Sequence, residues 1–258
     1  MNAELEVAKT AAREAGAIIC TYYKSDYKIL NKGYHNPVTT ADHASNDHLK
    51  SVLLSEFPDY GWFSEETVDS PDRLRKERVW IIDPIDGTKE FIEGIPHFVV
   101  SIALVEDHVP VLGVLYNPVT YETFTAIKGG GSKLNGEPVR CSSETDPGKM
   151  SVANSRSETR RGMWKRYKDS FSELRPVGSV AYKLGLTAAG IVDIFASLRP
   201  KNEWDICAGH CLIREAGGKL INLNGQEVTY NNKNTRISPG LVAGNPVAVD
   251  NTMSVLKI

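Results

Sequence analysis

Residues Val79–Ile82 form an unbroken apolar run of β-branched and aromatic side chains, which meets Asp83-Pro84-Ile85-Asp86-Gly87 directly. The run has the composition of a buried strand. Pro84 has no N–H to donate and holds Asp83 extended, so the strand is expected to end there. Asp86-Gly87 adds a second turn signal. From Thr88 a short helical turn can begin, leaving the N–H groups of Gly87 and Thr88 unpaired and facing outward, a ready place for an anion. Asp, Pro and Gly also dominate ordinary turns, so the pattern alone is compatible with simple punctuation. Electrostatics weigh against that reading. Two carboxylates ~4 Å apart repel by about 4 kcal/mol at an effective dielectric near 20. A divalent cation between them reverses the sign, and an oxygen-only ligand set suits Mg²⁺, which also bridges to phosphate.

The rest of the composition narrows the classes. A chain of 258 residues can build one large domain or two modest ones. A net charge of -2 supplies no global basic field, which excludes nucleic-acid binding by bulk electrostatics. The first residues carry early acidic groups and no apolar core, unlike a secretory signal, and no apolar run approaches the ~20 residues that span a bilayer. Cys20, Cys141, Cys207 and Cys211 form no CxxC pair. Cys207 and Cys211 share a helical face and read as buried thiols. A cytoplasmic location is expected.

In chain order, Leu5, Ala8, Ala12, Ala15 and Ile19 predict an amphipathic helix ending near Tyr23. Thr40 is expected to cap a second helix running to Pro58, with Asp42 in its first turn as a partner for the helix dipole. Trp62-Phe63 reads as a short strand, Ser64–Thr67 as a turn, and 69–78 as a mobile charged loop. Three β-rich runs, 98–105, 111–116 and 121–127, predict an antiparallel meander. Thr145-Asp146-Pro147-Gly148 suggests a boundary between an α+β half (1–145) and an α/β half (146–258). In the second half, strands are expected near 150–153, 192–196, 220–221 and 241–243. Helices are expected from 155 through Trp164, over 179–189 and 203–216, and near Val249. Asp205 reads by itself as part of an N-terminal cap on the 203–216 helix.

Four motifs in order carry a family resemblance: PVTTAD at 37–42, SEE at 64–66, DPIDGT at 83–88 and WDICAGHCLIREAGG at 204–218. The chain resembles the inositol monophosphatase superfamily of metal-dependent, lithium-sensitive phosphatases over nearly its whole length. The resemblance implies a layered αβαβα sandwich of the α+β class, commonly a homodimer. It also implies that Glu65, Asp83, Asp86, Asp205 and the Ile85 carbonyl hold two or three Mg²⁺ ions. That role replaces the capping reading of Asp205. Asp83, Glu65 and Thr88 would be catalytic, the last two orienting the attacking water. Asp86, Gly87, Thr88, Arg156 and Asp205 would meet substrate, and Asp42 and Glu66 would support the site or hold a third ion. Lys89-Glu90-Phe91 and Ser155-Arg156-Ser157 look most like the 3′(2′),5′-bisphosphate nucleotidases, with Arg156 on a second phosphate. The helix start 178–183 has a spacing closer to inositol monophosphatases, which speaks against Lys183 as a substrate ligand. An inositol, polyol or sugar phosphatase is therefore the alternative, and a catalytically inactive metal-binding member a remote third. The partner implied is a small phosphorylated substrate, with no nucleic-acid polymer and no membrane.

Overall fold

The computed structural model describes residues 1–33 and 36–256, the side chains of 31–36 excepted. The alanine-rich face of α1 (Asn2–Tyr22) buries Ala8, Ala12, Ala15 and Ile19. Small side chains let it lie close against α2 (Thr40–Glu56), which follows a two-stranded ribbon of β1 (Ile29–Gly33) and β2 (Asn36–Thr39). Thr39, not Thr40, caps α2: its hydroxyl accepts from the Ala41 N–H, and Asp42 Oδ2 accepts from the Thr39 N–H at 2.7 Å. Asn36-Pro37, a pair that disfavours regular structure, lies in β2, where Pro37 sits in a short ribbon strand.

A seven-stranded sheet runs in sequence order from β3 (Gly61–Ser64) and β4 (Arg78–Asp86) through β5 (Val99–Glu106), β6 (Val109–Asn117), β7 (Glu122–Ile127), β8 (Gly131–Leu134) and β9 (Glu137–Val139). Only β3 and β4 are parallel; the rest is the expected meander. Period-two alternation sends Trp80 and Ile82 of β4 towards α1 and α2, and Val79 and Ile81 to the opposite face. The strand does not stop at Asp83. It continues to Asp86 through an irregularity in register between those two residues, where Pro84 could not have kept the ladder. Then Gly87, at φ 107°, turns the chain into α3 (Thr88–Ile92). A Cβ there would meet the His97 carbonyl at 2.7 Å, so only glycine fits.

The second sheet contains β10 (Ser151–Ser155), β11 (Glu173–Val177), β12 (Ile194–Ser197), β14 (Lys219–Asn222) and β16 (Leu241–Gly244), in the order 11-10-12-16-14. Between the first two lies α4 (Arg156–Arg160), much shorter than the helix expected through Trp164, because Gly162 takes φ 74° and the chain turns there. Helices α5 (Val180–Ala188) and α6 (Glu203–Glu215) lie between the two sheets, and α7 (Pro246–Leu256) covers the outer face of the second. The layers are therefore α1/α2, sheet, α5/α6, sheet and α7, the αβαβα sandwich. A two-stranded ribbon, β13 (Lys201–Asn202) with β15 (Arg236–Ile237), flanks the start of α6. Gly113 admits α6 to the large sheet: a Cβ would stand 2.5 Å from the Ala208 carbonyl. Cys207 and Cys211, as expected, are fully buried there. Among the described residues no helix is long and apolar enough to cross a membrane.

The segment 69–78, read from its charge as mobile, is anchored. A 3₁₀ turn at Pro71–Arg75 drives Arg73 inward until it is 2% exposed. Its guanidinium stacks 4.2 Å from the Phe63 ring centroid, donates to both Asp69 oxygens at 2.7 and 3.0 Å, and reaches Asn231 Oδ1 and the Asn232 carbonyl. Arg73→Ala is expected to cost about 2–3 kcal/mol through lost packing and newly unsatisfied acceptors, read as a lower urea midpoint with unchanged slope.

Candidate metal and phosphate site

Because β4 carries Asp83 and Asp86 past its irregular turn while α6 starts beside it, carboxylates distant in sequence converge. Glu65 at the end of β3, Asp83 on β4 and Asp205 in the first turn of α6 offer oxygens that all lie within 4.8 Å of one another. They line a cavity of about 520 Å³ with Ile85, Asp86, Gly87, Thr88 and Arg156. Among the described residues no nitrogen or sulfur ligand joins the cluster, and the donors are those a hard divalent cation requires.

The protonation energetics agree with a site built for positive charge. Burial raises Asp83 well above the ordinary carboxylate range, and the charges of Glu65, Asp86 and Asp205 push it further. Asp205 is pushed up to about 7, first by burial and then by Asp86. Without a cation these groups compete to remain protonated; a cation among them removes both penalties.

Asp205 and Asp42 each do two things that appeared exclusive in the sequence. Asp205 Oδ2 accepts from the Asn202 N–H at 2.9 Å, completing a capping box, while the same carboxyl group belongs to the cluster. Asp42 caps α2 with one oxygen and with the other accepts from the Thr88 hydroxyl at 3.0 Å. Burial raises the Asp42 pKa, and the Glu66 charge adds to it. The Thr88 hydroxyl lies 3.2 Å from the Ile85 carbonyl, so Thr88, Asp42 and Ile85 form one hydrogen-bonded group at the turn. Glu66 follows Glu65 at the end of β3, half-buried, its N–H donating to Ser64 Oγ.

Asp86 stands apart from the close trio. Its Oδ2 accepts from Ser179 Oγ at 2.6 Å and from the Ala181 N–H at 2.5 Å, both at the start of α5. Ser179 holds a left-handed φ of 56°, which costs roughly 1–3 kcal/mol for a non-glycine residue. Lys183, 2% exposed, spans this turn by donating to the carbonyls of Val177 (3.1 Å) and Ser179. Its pKa is lowered to about 8 by burial, against the opposing pull of Asp86. Sequence reasoning did not find Ser179; a serine after glycine at a helix start was its only signal. Lys183, discounted as a substrate ligand, is directed into backbone carbonyls.

Arg156 departs from the expectation of a fork open to phosphate. Its terminal nitrogens donate to Glu90 Oε1 at 2.8 Å and Glu93 Oε2 at 2.7 Å, tying α4 to α3. Arg156 opens α4, directly after β10, and faces Glu90 in α3 and Glu93 at its C-terminal end.

An acidic oxygen cluster in an αβαβα sandwich, set beside the Gly87 turn into α3, defines a metal-dependent phosphate-ester hydrolase site. Comparison with known proteins agrees. A model of the inositol monophosphatase family matches residues 1–250. Inositol monophosphatase 2 of Solanum lycopersicum is 37% identical over 239 residues, 88% of this chain and 90% of its own length. Nus factor SuhB of Escherichia coli K12 is 33% identical over 96% of this chain and 94% of its own. Among solved structures, an IMPase of Thermotoga maritima superposes with TM-score 0.89 at 28% identity, covering all of this chain and 97% of that one. The chain belongs to the inositol monophosphatase family, and it is a metal-dependent phosphomonoesterase.

Proposed function

We propose that the protein hydrolyses the 3′-phosphate of a nucleoside 3′,5′-bisphosphate, with Mg²⁺ held by Glu65, Asp83, Asp86, Asp205 and the Ile85 carbonyl. The observation that carries this reading is the charge lining the catalytic cavity. Lys89, Arg160, Arg199, Lys201 and Arg236 all face the space that also holds the acidic cluster. Arg199 and Arg236 make no ion pair among the described residues. Arg160 is offset by Glu93 and Lys201 by Glu158, which leaves Lys89, Arg199 and Arg236; one monoester phosphate, already met by cations and by the Gly87 and Thr88 N–H groups, does not need three further positive charges, whereas a substrate with a second phosphate does.

Bound Mg²⁺ would lower the pKa of water and stabilise charge on the attacking and leaving oxygens. The chain's own residues supply positioning. Asp42 fixes the Thr88 hydroxyl, Thr88 and Glu65 orient the nucleophilic water, and the turn at Gly87 presents N–H groups to the phosphate oxygens. The start of α5 holds Asp86 by two hydrogen bonds.

A second reading, hydrolysis of an inositol or other polyol monophosphate, is favoured by the names of the tomato relatives and by Arg156, whose fork is occupied by Glu90 and Glu93. Phosphate release measured across adenosine 3′,5′-bisphosphate, inositol 1-phosphate and sugar phosphates separates the two. A higher kcat/KM for the nucleotide is expected, and a preference for inositol 1-phosphate transfers the assignment to the second reading. Because Arg156 is committed to α3, Arg156→Ala should depress kcat/KM by about tenfold on both classes alike. Loss on the nucleotide alone would return Arg156 to the second phosphate.

A further inference from the structure

A second cavity of about 520 Å³ adjoins the catalytic one, sharing Pro37, Lys89, Ser157 and Arg160 as a common wall. Its character is different. Ile29 and Ile92 complete it with Pro37 as an apolar surface, and Ile29 is left 49% exposed on the short ribbon strand β1. Around that surface stand Lys89, Arg160 and Arg161. Glu93 opposes them, but it is already engaged by Arg156 and at 3.2 Å by Arg160. Arg161 makes no ion pair among the described residues. The positive charge is crowded enough to be felt at Lys89, whose pKa falls by burial and, despite Glu90, by the nearness of Arg161, Arg160 and Arg199.

Such a wall disfavours a polyol, whose own hydroxyls would lose water against Ile29 and Ile92 without finding hydrogen-bond partners there. It suits a body with an apolar face and a separate anion: the face covers the isoleucines and the anion relieves the cations. We infer that this cavity is the leaving-group subsite, taking the nucleoside 5′-phosphate portion of the substrate while the acidic cluster holds the phosphate to be cleaved. The assignment rests on the nucleotide reading above, and the shared wall explains how one molecule reaches both places. The isoleucines would cover the base or the sugar edge, and Lys89 with Arg161 would face the second phosphate.

The test compares adenosine 3′,5′-bisphosphate with inositol 1-phosphate in the Mg²⁺-loaded parent, in Ile29→Ser and in Arg161→Ala. Both substitutions lie on exposed or partly exposed surface, and using a ratio cancels any general loss of fold or metal. The ratio of the two kcat/KM values, nucleotide over inositol phosphate, should fall about tenfold in each variant, the effect of one apolar side chain or one charge-assisted contact. A parent that prefers the nucleotide, with a ratio unmoved in both variants, overturns the subsite and leaves the nucleotide reading intact. A parent that prefers inositol 1-phosphate overturns the reading itself, and the subsite falls with it.

Discussion

Asp83→Asn is expected to lower turnover by at least ~100-fold, since a lost ligand to the metal removes several kcal/mol of transition-state stabilisation. The same substitution should stabilise the metal-free protein. Asp83 is buried among Glu65, Asp86 and Asp205, and neutralising it relieves their mutual repulsion. The pH dependence gives a second signature. Asp205 rises from an ordinary 3.8 to about 7 in the folded state, so the folded protein binds the proton more tightly than the unfolded chain. Its contribution to stability is therefore present below pH ~4 and lost as pH rises through about 7. Thermal unfolding of the metal-free parent should show that loss between about pH 4 and 7, and Asp83→Asn should reduce it. Addition of Mg²⁺ at pH 8 should raise the parent's Tm and leave the variant's nearly unchanged. A variant with parental activity and metal response would remove Asp83 from the site.

Lys183→Met should show the second large effect, although the Lys183 ammonium donates to backbone carbonyls and to none of the acidic trio. Without its ammonium the carbonyls of Val177 and Ser179 lose their buried donor, at about 2 kcal/mol. The Ser179 turn, held at positive φ, then loses what over-determines it, and Asp86 loses the two donors the turn presents. Turnover should fall about 10–100-fold, the size expected when the support of a ligating carboxylate is removed. The half-saturating Mg²⁺ concentration should rise with it. A fall in Tm with unchanged Mg²⁺ dependence would confine Lys183 to packing.

How much of this was legible in the chain depended on the range of the interaction. Period-two alternation in Val79–Ile82, the alanine face of α1 and the meander are local patterns, and they appear where the sequence placed them. Local signals also misjudged some ends. Pro84 argues for a strand terminus, yet the neighbouring β5 holds the backbone extended to Asp86 across the irregularity. The charge of 69–78 argues for mobility, yet Asp69, Asn231 and Asn232 together satisfy the Arg73 fork and bury it. Strand β11, with a proline at its fourth residue, showed no recognisable pattern because it is an edge strand.

The residues alone carried the chemistry of the site: which side chains offer oxygen ligands, that a turn follows Asp86, and which family shares these motifs. Tertiary structure decided which oxygens meet, because Glu65, Asp83 and Asp205 come from three elements whose approach depends on the packing of α6 against the large sheet. It also decided how each carboxylate is divided between tasks. Asp42 and Asp205 have two oxygens, so each could be both cap and site residue, a solution no spacing rule distinguishes from either task alone. Arg156 is the converse case. Its charge and fork geometry fit a phosphate or a carboxylate equally well, and only the tertiary structure shows two of its nitrogens donating to Glu90 and Glu93.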